Sequence, residues 1–149
     1  MEKQYLIETA RSLIDKDLPL VSNLSNLSAL IKDAFTNADW AGFYLFDEKS
    51  NKLYLGPFQG EVACLVIPNG WGICGQSILN KKSIIVPDIT VAQNYVACSS
   101  TTRSEIVVPI LKDNACKGVI DLDSDSFNAF DIKDQNLLEE LGEIISQLF

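Results

Sequence analysis

The stretch Trp40-Ala-Gly-Phe-Tyr-Leu-Phe46, then Asp47-Glu48-Lys49-Ser50-Asn51, then Lys52-Leu-Tyr-Leu55 decides the fold class. Two runs rich in aromatic and branched residues, separated by polar turn formers, read as a β-hairpin. Glu105 to Leu111 and Lys117 to Leu122 flank Lys112-Asp113-Asn114 and read as a second hairpin. Pro109 places the first of those strands at an edge or a bulge, because proline donates nothing to a ladder. Glu61 to Ile67 is apolar on both faces, as expected of a covered strand, and Ser83 to Val86 predicts another short one.

Outside this block the period changes to that of helices. Leu6, Ala10 and Leu13 recur at helical spacing, with Ile7 and Ile14 widening the stripe. Asp17-Leu18-Pro19 interrupts it, and Ser22 is the expected N-cap of a second helix carrying Leu24, Leu27, Ile31 and Ala34. A short helix is expected from about Gly72 to Asn80. Asp131 caps the last helix, whose stripe of Leu137, Leu141, Ile144 and Leu148 serves either the core or a dimer. Helices bracketing hairpins predict an α+β domain, a central antiparallel sheet with N- and C-terminal helices packed on one face. At 149 residues the chain reads as a single domain over 1–149.

Composition narrows the chemistry. Twelve Lys and Arg against 20 Asp and Glu give a net charge of −8, which disfavours nucleic acid and anionic membranes as partners. No apolar run reaches the length of a membrane span, and the first 17 residues interleave charges too densely for a signal peptide. The expected compartment is the cytosol, where thiols stay reduced. There is no histidine, so imidazole catalysis and Cys₂His₂ zinc sites are excluded. Thiols, carboxylates, hydroxyls or a cofactor must carry any reaction.

The cysteines stand at 64, 74, 98 and 116, without a C-x-x-C pair, which argues against a zinc ribbon or a thioredoxin-type motif. Gly70-Trp-Gly-Ile-Cys-Gly75 puts Cys74 at a predicted helix N-terminus, where unpaired N–H groups and the helix dipole favour thiolate. The same glycines equally fit a tight turn that buries Cys74. Cys98 lies in Pro87 to Ser104, a stretch with no predicted regular element, of the kind that packs over a functional pocket. Cys64 falls on a predicted strand, and Cys116 reads as a packing residue.

Carboxylates form the second signal. Asp121 and Asp123 share one face of a predicted strand, and Glu105 opens its hairpin partner. Three acids together suit an ammonium ligand, a general acid or a hard cation such as calcium, or they are simply solvated. Trp40 and Tyr44 share a face of the first strand and either wall a pocket or fill the core.

Taken together, several motifs resemble the free methionine-(R)-sulfoxide reductases, stand-alone enzymes on the GAF-domain fold. They are Ala38-Asp-Trp-Ala-Gly-Phe-Tyr-Leu45, Leu55-Gly-Pro-Phe-Gln-Gly60, Ala63-Cys64, Gly72-Ile-Cys-Gly75, Val86-Pro-Asp88, Ala97-Cys98, Ser104-Glu-Ile-Val-Val-Pro109 and Gly118-Val-Ile-Asp-Leu-Asp-Ser124. The resemblance spans roughly residues 4 to 147 and implies a GAF-like domain that reduces free L-methionine-(R)-sulfoxide, with a role in repair after oxidative stress. It implies Cys98 as nucleophile, Cys74 as resolving cysteine and Cys64 as an alternative resolving partner. The steps would be a sulfenic acid and an intramolecular disulfide, reduced by thioredoxin without metal or organic cofactor. Glu105, Asp121 and Asp123 would hold the substrate ammonium and help protonate the sulfoxide oxygen, while Trp40 and Tyr44 enclose its methyl-sulfinyl end. Neither the resemblance nor the sequence identifies the grip on its carboxylate, for which Arg103 and a backbone amide nest are the candidates. Trp71 departs from the pattern, where a smaller or basic residue is expected.

Overall fold

The aromatic run and its partner form a hairpin: β1 (Trp40–Asp47) pairs antiparallel with β2 (Lys52–Gln59). This computed structural model describes residues 1–93 and 95–149. The second hairpin joins β5 (Ser104–Lys112) to β6 (Ala115–Ser124), with Asp113 and Asn114 both at positive φ, as tight hairpin turns require. Two short strands complete the sheet, β3 (Val66–Pro68) beside β2 and β4 (Ile84–Val86) beside β5. The strand order is β3-β2-β1-β6-β5-β4.

Pro109 finds its edge within an interior strand. β4 pairs only with Glu105 to Val107, so Pro109 lies beyond its end, where no neighbour asks for the missing N–H. The covered strand expected over Glu61 to Ile67 is a correction: only Val66–Pro68 is a strand, and Val62 and Leu65 are exposed. Its apolar pattern does not reflect burial.

The helices α1 (Leu6–Leu13), α2 (Leu20–Ala34) and α4 (Ile132–Ser146) pack on one face of the sheet. Leu24, Leu27 and Ile31 of α2 and Leu138, Leu141 and Ile145 of α4 meet Phe43, Ile106, Val108, Ile120 and Leu122 in that core. The C-terminal stripe is thereby spent within the chain: Leu141 and Ile144 are buried, and Leu137 and Leu148 pack against the core. Asp131 caps α4 as expected, accepting from the Lys133 and Asp134 amides while Asp134 reaches back to the Asp131 N–H. In α2 the N-cap is Pro19, not Ser22, which lies inside the first turn. Among the described residues no helix is long and apolar enough to cross a membrane.

The opposite face carries α3 (Gly72–Asn80), a 3₁₀ turn at Ile89–Val91 and the irregular residues 95–103 before β5. The site lies between this layer and the sheet.

Candidate active site

Register across three strands assembles the site. Trp40 stands opposite Asp123, and Asp123 opposite Glu105, so these three side chains form one row on the face away from the terminal helices. One step along, Asp121 stands between Gly42 and Val107 on the same face. Gly42 leaves the space that the Trp40 ring occupies; a Cβ there would come within 2.8 Å of it. Trp40 therefore lies over the sheet and stacks on Phe58 and Tyr44, with ring centroids 5.2 and 6.0 Å away.

The cover comes from α3 and the loop before β5. Gly72 opens α3 at φ +60°, with Val96 packed where a Cβ would project. The result is a cavity of about 290 Å³ lined by Trp40, Tyr44, Cys74, Cys98, Glu105, Asp121 and Asp123, together with Tyr95, Thr102 and residues 60–63. That is at the small end of ligand pockets, which run from roughly 300 Å³ upward. Seven of the eight residues singled out by sequence thus face one space.

The eighth, Cys64, does not line it. It is bonded to Cys98 in a disulfide, while Cys74 and Cys116 are free and buried. Of the two partners expected for Cys98, Cys74 first and Cys64 as the alternative, the structure bonds Cys64. Two cavity side chains hold the segment that carries Cys64. Tyr44 donates to the Cys64 carbonyl at 3.0 Å, and Trp40 Nε1 donates to the Glu61 carbonyl at 3.1 Å. Sequence reasoning missed these bonds because the segment resembled a strand that needs no such braces.

Of the two readings open for Cys74, a thiolate at the helix N-terminus or a buried thiol, the structure has the buried one. Burial pushes its thiol well above the ordinary range, and the charges of Asp121, Glu105 and Asp123 push it further. A helix N-terminus contributes about 1 kcal/mol or less, under one pH unit, whereas full burial moves a group by several. Burial wins, and Cys74 is a neutral thiol. Its Sγ lies 4.0 Å from Oε1 of Glu105.

The carboxylates are strongly perturbed. Burial, then the charges of Asp121 and Asp123, hold Glu105 well above the usual carboxylate range. Burial, with Asp121 and Asp125, does the same to Asp123. Asp121 rises to about 6 through burial, restrained by the Cys74 thiol and the Glu105 carboxyl, which favour its anion. Its Oδ1 is buried without a hydrogen-bond partner. Asp121, Glu105 and Cys74 also form the metal-capable cluster among the described residues, with ligand atoms within 4.8 Å of one another.

Other expectations fall outside the cavity. Arg103 does not line it and donates to the Ser100 and Thr102 carbonyls. Trp71 is exposed beside α3 and does not line it either. Cys116 is buried against the Gly118 carbonyl, as a packing residue should be. Tyr95 and Thr102 enter the site from a loop whose path no local pattern reveals.

Comparison with known proteins agrees with this geometry. The GAF-domain family matches residues 23–149. The free methionine-R-sulfoxide reductase of Saccharomyces cerevisiae is 41% identical, over 97% of this chain and 83% of its own length. This chain belongs to the free methionine-R-sulfoxide reductase family. The Escherichia coli protein of the same name is 37% identical over 87% of this chain and 78% of its own length. The crystal structure of the Neisseria meningitidis reductase, in complex with its substrate, covers 99% of this chain and 85% of its own, with a TM-score of 0.90 and 39% identity. The Neisseria meningitidis reductase therefore shares the fold of this chain over nearly its whole length.

Proposed function

We propose that this protein reduces free L-methionine-(R)-sulfoxide to methionine, with Cys98 as the nucleophile and Cys64 as the resolving cysteine. The observation that carries the reading is that Cys98, one half of a disulfide, shares a small cavity with three perturbed carboxyls. The names of the relatives support it.

In the first step the Cys98 thiolate attacks the sulfoxide sulfur while a carboxylic acid of the cluster delivers a proton to the sulfoxide oxygen. Two electrons pass from the cysteine sulfur to the substrate, methionine leaves, and the oxygen remains on Cys98 as a sulfenic acid. The Cys64 thiol then condenses with that sulfenic acid, expelling water and forming the Cys64–Cys98 disulfide. A thioredoxin dithiol restores both thiols by exchange, in the cytosol. This thiol chemistry calls for no metal or organic cofactor.

The division of labour follows from the environment of each group. Burial and neighbouring charge favour the protonated forms of Glu105 and Asp123, which suits them to serve as acids, whereas Asp121, raised only to about 6, is the carboxyl suited to attract the substrate ammonium. Trp40 and Tyr44 provide an aromatic wall suited to a polarizable sulfur. The small cavity favours a free amino acid over a peptide.

A coupled assay tests the reading. With thioredoxin, thioredoxin reductase and NADPH, the (R) epimer should drive NADPH oxidation and the (S) epimer should not. No oxidation with the (R) epimer would remove the enzyme reading in favour of a ligand-sensing GAF module.

A further inference from the structure

The disulfide has two sulfurs, and the fold places them differently. Cys98 lines the cavity and Cys64 does not. Leu65, next to Cys64, is 73% exposed, and Val62 and Val66 are exposed as well. We propose that the protein dithiol that recycles the enzyme attacks the Cys64 sulfur from outside, with Leu65 as its point of contact, and expels Cys98 as a thiolate beside the cavity. This inference rests on the reductase reading and deepens it, by assigning the sulfur attacked and the residue that meets the reductant.

In thiol–disulfide exchange a thiolate attacks one sulfur while the other leaves, with the three sulfurs in line. Attack on Cys98 therefore comes from its cavity side, and attack on Cys64 from outside the cavity. A cavity of about 290 Å³ admits an amino acid and excludes a folded protein. It also presents Glu105, Asp121 and Asp123 to the entering thiolate, and any of them that is ionised repels it. Residues 62–66, Val-Ala-Cys-Leu-Val, carry no charge at all in a chain of net charge −8. This segment is tied down from within, by the bonds that Tyr44 donates to the Cys64 carbonyl and Trp40 to the Glu61 carbonyl. The Leu65 carbonyl is held too, accepting from the Leu55 N–H at 3.0 Å. An exposed leucine on a braced, uncharged loop beside an electrophilic sulfur suits a partner that buries apolar surface around its own dithiol.

Two exchanges complete the step. The entering thiolate bonds to Cys64 Sγ as the Cys64–Cys98 bond breaks, and Cys98 leaves with the electron pair as the thiolate that the next substrate requires. The second thiol of the reductant gives its proton to solvent and attacks the reductant sulfur bound to Cys64. Cys64 then leaves as a thiolate and takes up a proton, and the reductant departs as its own disulfide. Two electrons pass from the dithiol to the enzyme. Attack on Cys98 instead would keep the nucleophile blocked until the last exchange.

The test starts from the oxidised protein without substrate, so it does not depend on turnover. Thioredoxin whose second active-site cysteine is replaced by serine stops at the mixed disulfide. After an acid quench, free thiols are alkylated and the adduct is mapped by mass spectrometry. Thioredoxin should be found on Cys64, with Cys98 alkylated; thioredoxin on Cys98 would overturn the proposal. Leu65→Glu, outside the cavity lining, gives a second reading, and it decides alone if no adduct survives the quench. Losing the burial of a leucine should raise the thioredoxin concentration for half-maximal disulfide reduction by at least about fivefold. Reduction by dithiothreitol and the first methionine released by the reduced variant should match the wild type. An unchanged thioredoxin dependence, or equal slowing with dithiothreitol, would overturn the proposal, as would a wild-type disulfide that thioredoxin leaves intact. A disulfide that thioredoxin does reduce, in a protein that releases no methionine, would remove the reductase reading alone.

Discussion

Replacing Asp121 with asparagine should make the disulfide-linked, substrate-free protein more stable at pH 8, although it damages the site. Burial raises the Asp121 carboxyl from its ordinary 3.8 to about 6. The folded state therefore holds this proton more tightly than the unfolded chain. Its ionisation costs folding nothing below about pH 4, and the cost grows as the pH climbs to about 6 and is constant above. An interval of about two pH units, at about 1.4 kcal/mol each, amounts to about 3 kcal/mol at pH 8. For a chain of this size that is roughly 6–12 °C in Tm. Asparagine keeps the shape of the protonated acid and avoids the charge. Thermal melts of both proteins at pH 4 and pH 8 should show a gap that is small at pH 4 and wide at pH 8. Equal or lower stability of Asp121→Asn at pH 8 would refute the claim that the site holds an uncompensated buried anion. The unpartnered Asp121 Oδ1 is the structural mark of that cost.

Two further substitutions test the covering layer and the disulfide. Gly72→Ala places a Cβ 3.1–3.2 Å from Val96 at a φ of +60°, so it should destabilise the protein by about 1–2 kcal/mol in urea denaturation and weaken substrate affinity. Cys64→Ser should still release a first equivalent of methionine, but thioredoxin-dependent recycling should collapse; sustained turnover in this variant would assign resolution to another thiol.

The parts of this molecule that depend on local pattern were legible in its sequence. The two hairpins, the Asp131 cap and the shared face of Asp121 and Asp123 follow from turn residues, capping chemistry and the two-residue period of a strand. What was not legible depends on where distant segments meet. Cys64 and Cys98 pair because the loop before β5 folds back over the sheet, and no spacing rule reports that path. Cys74 stayed open between thiolate and buried thiol because the helix N-terminus is visible in the sequence while the surrounding burial is not. The Glu61 to Leu65 segment misled because its burial, too, is invisible in the sequence. Its apolar residues imitate a strand, yet hydrogen bonds from Trp40 and Tyr44 hold it as a loop.

The central claim is that Cys98 attacks free methionine-(R)-sulfoxide from within the cavity. Its most direct test is a single turnover without external reductant, using fully reduced wild type and Cys98→Ser with each epimer. The wild type should release stoichiometric methionine from the (R) epimer and end with Cys64 linked to Cys98, while Cys98→Ser releases none. Methionine from Cys98→Ser at the wild-type rate would contradict the claim.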